Sequence, residues 1–410
     1  MSASMIDFGK LYSAGLPDPA PRWAPFPKYY FIGGNNDPEQ IPIEGLIDAC
    51  ASVLRRDGDK LAIYNLGLGP QGYPGLRQFV ADKCKQVRGI DVPIDDVMIT
   101  TGSGQGIDMI SKLLVNPGDT VLVEEYCYQG AMNRFRKIGA KLEGMKLDAD
   151  GIVIDALAKQ LADLRAKGIT PKFIYTIPTI QNPTASILPL DRRQALIKLA
   201  RDYNVAIFED ECYADLLWDG IEAPPALYAL DPGCVIHLGS FSKSLAPALR
   251  LGYIIAPWEN MSRLLPLKGD SGTGALDQMV VAEYFSRNFT GHLAHLNGVL
   301  KEKLDTMTEA VAREFGASAE VWAPKGGIFL WIKLPDSVDV RKLVKPAADA
   351  GIVFNAGPEW AVSPHNSSNC LRLCFAMPSK QTIRDGVAEL ARVCYEQTGI
   401  PVRSGNVSRA

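Results

Sequence analysis

The chain has 410 residues, 47% of them hydrophobic and 22% charged, which is the make-up of an ordinary globular protein long enough for more than one core. Its net charge of -3, from 43 basic and 46 acidic residues with no long run of one sign, argues against a binder of nucleic-acid backbones. A mean hydropathy of +0.00 and the lack of a bilayer-length apolar run argue against a membrane protein.

The stretch from Met1 to Gly15 has neither the basic start nor the apolar run of a secretory signal, so a cytoplasmic location is expected. The eight cysteines (Cys50, Cys84, Cys127, Cys212, Cys234, Cys370, Cys374, Cys394) show no C-x-x-C spacing and are read as reduced core thiols. His292 and His295 could share a helix face as metal ligands, but no third ligand stands near and they are read as surface histidines.

In chain order, Gly69 to Arg77 is a glycine- and proline-marked turn leading into a helix. Short apolar runs then recur with the look of fully buried strands: Val97–Thr100, Thr120–Val123, Phe173–Thr176, Val205–Phe208, Val235–Leu238 and Gly252–Ile255. Helix-like segments lie between many of them. Asp191 to Tyr203, for example, places Leu196, Leu199 and Ala200 on one face behind an Asp191 cap. Such alternation predicts a mostly parallel sheet wrapped by helices. Beyond about Thr273 longer helical stretches take over. Strand-like Gly327–Ile332 and Leu371–Phe375 follow, then a helix from about Lys380 to Glu396 that stops at Gly399 and Pro401. This predicts a second, smaller α+β domain.

The residues suited to chemistry follow the predicted strands. Thr101 to Gly106 opens an apolar helix whose free backbone N–H groups could meet a phosphate, although its glycine spacing fails the dinucleotide fingerprint. Tyr128 comes soon after the second strand, with a core tyrosine as its alternative reading. Asn182-Pro183 after the third strand is ordinary turn chemistry by itself. Asp210 closes the fourth strand, at the carboxyl end where open α/β sheets place ligands, or else caps a turn. The segment Gly239 to Gly252 gathers Ser240, Ser242, Lys243 and Arg250 among small residues. Hydroxyls and a guanidinium suit a phosphate, and a lysine amine suits an aldehyde. Arg372 is a lone charge inside an apolar strand and needs an anion, either an internal carboxylate or a ligand.

The run Ser240-Phe241-Ser242-Lys243, followed by Ala246-Pro247 and by Arg250-Leu251-Gly252, resembles the cofactor-lysine signature of the fold type I pyridoxal-phosphate aminotransferases, class I and II. Pro324 to Trp331 resembles the strand entry of the aminoadipate, kynurenine and aromatic aminotransferase group, and the matches together run from about residue 30 to residue 380. The resemblance implies pyridoxal 5'-phosphate as cofactor, with Lys243 as its Schiff-base lysine and Ser240, Ser242 and Arg250 at the phosphate. It further implies Asp210 at the pyridine nitrogen, Asn182 and Tyr213 at the ring hydroxyl oxygen, and Tyr128 stacked on the ring. Ser103, Gly104 and Gln105 are carried over as phosphate-binding residues. The family more often has Gly-Ser-Gln-Gln there, so Gly104 offers only its backbone. Arg372, with Asn182 beside it, is implied for the substrate α-carboxylate.

The same resemblance implies a homodimer with active sites at its interface and transamination between an L-amino acid and a 2-oxo acid. Another reaction on the same scaffold, such as β-lyase or decarboxylase chemistry, and a non-catalytic cofactor-binding sensor are the alternatives. It implies a seven-stranded large domain over residues 51–290 and a smaller α+β domain over 291–410 joined by the N-terminal 1–50. Two departures stand out. Where the family often has a tyrosine reaching across the dimer to the phosphate, this chain has Gly67, leaving Tyr64 as the substitute. Phe31 to Asn36 only loosely resembles the family's Gly-Gly-Leu-Pro.

Overall fold

In the computed structural model, which describes residues 6–13, 16 and 18–401, the six apolar runs become neighbours in one sheet. Residues 1–5, 14, 15, 17 and 402–410, parts of the expected N- and C-terminal segments, lie outside the described residues. The sheet has seven strands: β1 (Val97–Thr101), β2 (Thr120–Glu124), β3 (Lys141–Met145), β4 (Phe173–Thr176), β5 (Ala206–Asp210), β6 (Val235–Ser240) and β7 (Leu251–Ile255). Across the sheet they run β1-β7-β6-β5-β4-β2-β3. β7 is antiparallel to both neighbours and every other pair is parallel.

Both faces are buried, which is why these strands read as continuous apolar runs. Phe173, Tyr175 and Phe208 point to one face and meet Phe135 edge-on, with ring centroids 5.1 to 6.5 Å apart. Ile174 and Ile207 point to the other face, among Leu122 and Leu196. β3 escapes the sequence reading because, unlike β1 at the opposite edge, it is left largely uncovered: Lys141 and Glu143 are exposed and only Met145 is fully buried. A lysine on such an edge also discourages pairing with another chain.

Four helices early in the chain matter for the site: α1 (Ile43–Asp57), α2 (Pro74–Arg88), α3 (Gly102–Leu114) and α4 (Gln129–Lys137). The expected crossover helix spans Leu190–Tyr203 and starts at Pro189. Asp191 therefore lies in its first turn rather than at its cap, where its charge still favours the helix N-terminus. A 41-residue helix, Ala275–Phe315, leads to a four-stranded antiparallel sheet centred on Phe329–Lys333 and Cys370–Cys374. Tyr29–Tyr30 pairs with Ile352–Val353, so the N-terminal segment is hydrogen-bonded to the C-terminal part of the chain. The last helix, Lys380–Thr398, is capped by Ser379 and ends at a left-handed Gly399.

All eight cysteines are free; five are buried, and Cys50, Cys212 and Cys234 are half-buried. The surface reading holds for His295 but not for His292. His292 is half-buried, with Nε2 2.8 Å from the Ser244 carbonyl and Nδ1 3.3 Å from the Tyr284 hydroxyl, so it braces the turn that carries Lys243. Among the described residues no helix is long and apolar enough to cross a membrane.

Candidate active site

At the carboxyl ends of the parallel strands the chain leaves a cavity of about 480 Å³, within the usual range for small-ligand sites. Ser103, Gly104, Tyr128, Asn182, Asp210, Tyr213, Ser240, Ser242, Lys243, Arg250 and Arg372 all line it, so residues spread over 270 positions converge as the sequence reading expects.

Lys243 sits in the turn that follows β6, a turn tied by a hydrogen bond from the Ser242 N–H to Ser240 Oγ of 3.1 Å. Its ammonium nitrogen is deeply buried and donates to the Gly34 carbonyl at 2.7 Å. Burial pushes the Lys243 pKa down from 10.5, and the Arg372 and Arg250 charges push the same way. A Cβ at position 34 would lie 2.2 Å from Lys243 Nζ, so any side chain there would displace the amine. The loosely matching N-terminal segment thus forms part of the cavity wall.

Asp210 ends β5 with 2% exposure. Its Oδ2 accepts from the Tyr175 hydroxyl at 2.7 Å and its Oδ1 from the Cys212 N–H at 3.3 Å. Burial raises its pKa, and these two donors act against that rise. Tyr175 faces Asp210 because β4 and β5 pair in register two residues further on, and the same alternation puts it in the aromatic layer. The flanking Glu209 and Glu211 bond to other partners. Glu209 meets His237, while Glu211 is gripped by Arg88 at 2.5 and 2.6 Å with Arg193 at 3.7 Å.

Opposite, α3 begins at Gly102 with no side chain capping its free N–H groups. Gly102 has φ +71°, and a Cβ there would lie 2.2 Å from Arg250 Nη2, so the arginine lies directly against the helix start. Gln105 departs from expectation. Its Oε1 accepts from the Thr101 N–H and from Lys268, its Nε2 donates to Asp270, and it does not line the cavity. A buried lysine facing Asp270 needs that amide as a further acceptor, which holds the glutamine side chain away from the cavity.

Arg372 is 3% exposed and finds only neutral acceptors: Asn182 Oδ1 at 2.9 Å, Asn355 Oδ1 at 2.8 Å and the Gly33 carbonyl at 3.0 Å. Its guanidinium lies 4.0 Å over the Trp360 ring, and its Nε has no partner. Among the described residues no carboxylate pairs with it. Asn182 uses its other end to donate to the Tyr213 hydroxyl at 3.2 Å. Tyr175, Asn355 and Trp360 were not singled out in the sequence. The hydroxyl of Tyr175 in an otherwise apolar strand was the one available signal, whereas Asn355 lies in a two-residue strand opposite Arg372 and Trp360 in a short 3-10 helix, both too short to show a pattern. Tyr64 is 85% exposed and does not line the cavity.

A buried amine beside a buried carboxylate and an arginine-backed helix start offers partners for an aldehyde, a pyridine nitrogen and a phosphate, the three polar features of pyridoxal phosphate. On this sheet topology, that donor set marks a pyridoxal-phosphate enzyme of the α/β kind. The chain belongs to the class I and II aminotransferases, whose family model matches residues 35–390. It is 34% identical to the 2-aminoadipate transaminase of Thermus thermophilus over 88% of this chain and 89% of that protein. The crystal structure of an α-aminoadipate aminotransferase from Thermus thermophilus, complexed with N-(5'-phosphopyridoxyl)-L-leucine, superposes with a TM-score of 0.82 at 32% identity over 90% of this chain and 93% of that one. That of a multiple substrate aminotransferase from Thermococcus profundus gives 0.88 at 29% identity, over 96% and 100%. The chain is therefore an aminotransferase that uses pyridoxal phosphate to move an amino group between an amino acid and a 2-oxo acid.

Proposed function

We propose that Lys243 is the residue that binds the cofactor aldehyde and carries the transferred proton, and that Arg372 receives the substrate α-carboxylate. One observation carries this reading: half-buried Lys243 and buried Arg372 share one cavity, and Arg372 has no carboxylate partner among the described residues. Bound pyridoxal phosphate supplies an aldehyde that condenses with amines and a protonated ring that draws off electrons when the neighbouring C–H bond breaks. Lys243 Nζ, whose pKa burial pushes down from 10.5, takes the proton from the substrate α-carbon in its free-amine form and later returns one, as a general base and acid. Asp210 holds the ring proton in place by its opposite charge. The planar fork of Arg372 suits the two carboxylate oxygens, and Trp360 and Asn355 fix its orientation. Asn182 and Tyr213 serve the ring oxygen, Tyr128 covers the ring, and Ser103, Gly104, Ser240, Ser242 and Arg250 bind the phosphate.

The proposed assembly is a homodimer. Its support is the run of exposed apolar residues Ile43, Ile47, Leu54, Leu61, Ile63, Tyr64 and Leu68 on α1 and the short helices after it, a concentration unusual for a surface left in water. The proposed location is the cytoplasm and the proposed role biosynthetic amino-acid metabolism. The proposed large unit spans 51–290 and the small one 291–410 with the first 50 residues. That boundary falls inside the helix Ala275–Phe315, which would join the units as a continuous rod.

Borohydride reduction of the loaded enzyme tests the assignment. A phosphopyridoxyl group fixed on Lys243, identified by peptide mass, is the expected result, and an unmodified Lys243 in reduced holoenzyme overturns it. Screening amino donors, with 2-aminoadipate and the aromatic amino acids first, for conversion to the pyridoxamine form then defines the substrate.

A further inference from the structure

We propose that Arg134 is a second guanidinium ligand of the cofactor phosphate, acting from α4 across the start of α3. This rests on the proposed cofactor site and adds a residue to it. Arg134 lies in the middle of α4, yet its side chain lines the same cavity as Ser103, Gly104 and Arg250. The position of its end group is set by two contacts. Nη1 pairs with Asp108, one turn further along α3, and Nη2 lies 2.8 Å from where a Cβ at Gly104 would stand. Any side chain at 104 would therefore occupy the space the guanidinium uses.

The start of α3 is thus bracketed. Arg250 Nη2 lies against Gly102 and Arg134 Nη2 lies against Gly104, each where an added Cβ would displace the guanidinium. Gly102 and Gly104 both belong to the first helical turn, whose free N–H groups no side chain caps. Two guanidiniums flanking such a turn form a cradle for a dianion, because each can add charge-assisted hydrogen bonds to those from the backbone. Asp108 neutralises part of the Arg134 charge and aims it, leaving Nη2 directed to Gly104. The alternative anion for Arg134, a distal carboxylate on a dicarboxylic substrate, is separated by the test.

The dissociation constants of pyridoxal phosphate and of unphosphorylated pyridoxal are measured by absorbance titration on wild type, Arg134→Gln and Gly104→Ala. Arg134→Gln is expected to weaken pyridoxal phosphate by roughly ten- to a hundredfold, the scale of one lost hydrogen bond to a charged group, and to leave pyridoxal unchanged. Gly104→Ala is expected to do the same by pushing the guanidinium aside, while its thermal stability holds or rises because alanine favours helix. Arg134→Lys should recover part of the loss. Equal weakening of both ligands overturns the proposal in favour of a structural role. Unchanged cofactor affinity with a raised KM for dicarboxylic substrates alone overturns it in favour of substrate recognition. Failure of the underlying site is distinguishable, since wild type would then bind pyridoxal phosphate no better than Lys243→Ala.

Discussion

Replacing Tyr175 with phenylalanine removes one hydroxyl and should move the acid limb of the pH–rate profile. The hydroxyl donates to Asp210 Oδ2 at 2.7 Å in a fully buried setting, and burial pushes the Tyr175 pKa well above its ordinary value, so it remains a donor at neutral pH. A hydrogen bond to a buried charge contributes about 1.5–3 kcal/mol, and one pKa unit corresponds to about 1.4 kcal/mol. Losing the donor disfavours the carboxylate relative to the acid, so the Asp210 pKa rises by about one to two units by the same arithmetic. The working form needs Asp210 ionised. Activity is therefore lost at a higher pH as the medium is acidified, while the neutral plateau changes little. The ring of the variant keeps its edge contacts with Phe135 and Phe208, so the fold should hold. Measuring kcat/KM against pH for wild type and Tyr175→Phe reads the shift directly. Tyr253→Phe, which removes another buried hydroxyl, one bonded to Lys83, is the control. An acid limb that stays where it was in Tyr175→Phe would refute the link between this tyrosine and the ionisation of Asp210.

Arg372→Lys should raise KM for amino acids by about tenfold or more with a smaller change in kcat, because one ammonium cannot span two carboxylate oxygens and also satisfy Asn355 and Gly33. Steady-state kinetics check this, and an unchanged KM would remove the carboxylate assignment. Lys243→Met should make the cofactor-free protein more stable. The native pKa of Lys243 lies below the unfolded value of 10.5, so the native state holds fewer protons and pays a stability penalty that is complete below the native pKa and fades as pH rises toward 10.5. Melting temperatures across that window should climb with pH in the wild type and less so in the variant. Arg88→Met leaves Glu211 with the Thr179 hydroxyl at 2.7 Å and, as its one cation, Arg193 at 3.7 Å, so chemical denaturation should show a loss near the lower end of the 3–5 kcal/mol typical of a broken buried pair, about 3 kcal/mol.

What the sequence disclosed and what it hid divide along a physical line. β1, β2, β4, β5, β6 and β7 were legible because burial on both faces demands unbroken apolar runs, whereas the edge strand β3 is half wet and loses that pattern. Lys243 and Asp210 drew notice because each follows such a run at its carboxyl end, and Asn182, ordinary turn chemistry by itself, through the family resemblance; all three line the cavity. Tyr175, Asn355 and Trp360 were not, since their work depends on which residue of a distant strand or turn they face. The side chain of Gln105 was misplaced for a similar reason: Lys268 and Asp270, more than 160 positions away, decide where it points.

The two carbonyls offered by Gly33 and Gly34 have a further consequence. One accepts from Arg372 and the other from Lys243, so two consecutive peptide units tie both cations of the cavity to the segment that Tyr29–Tyr30 anchors against Ile352–Val353.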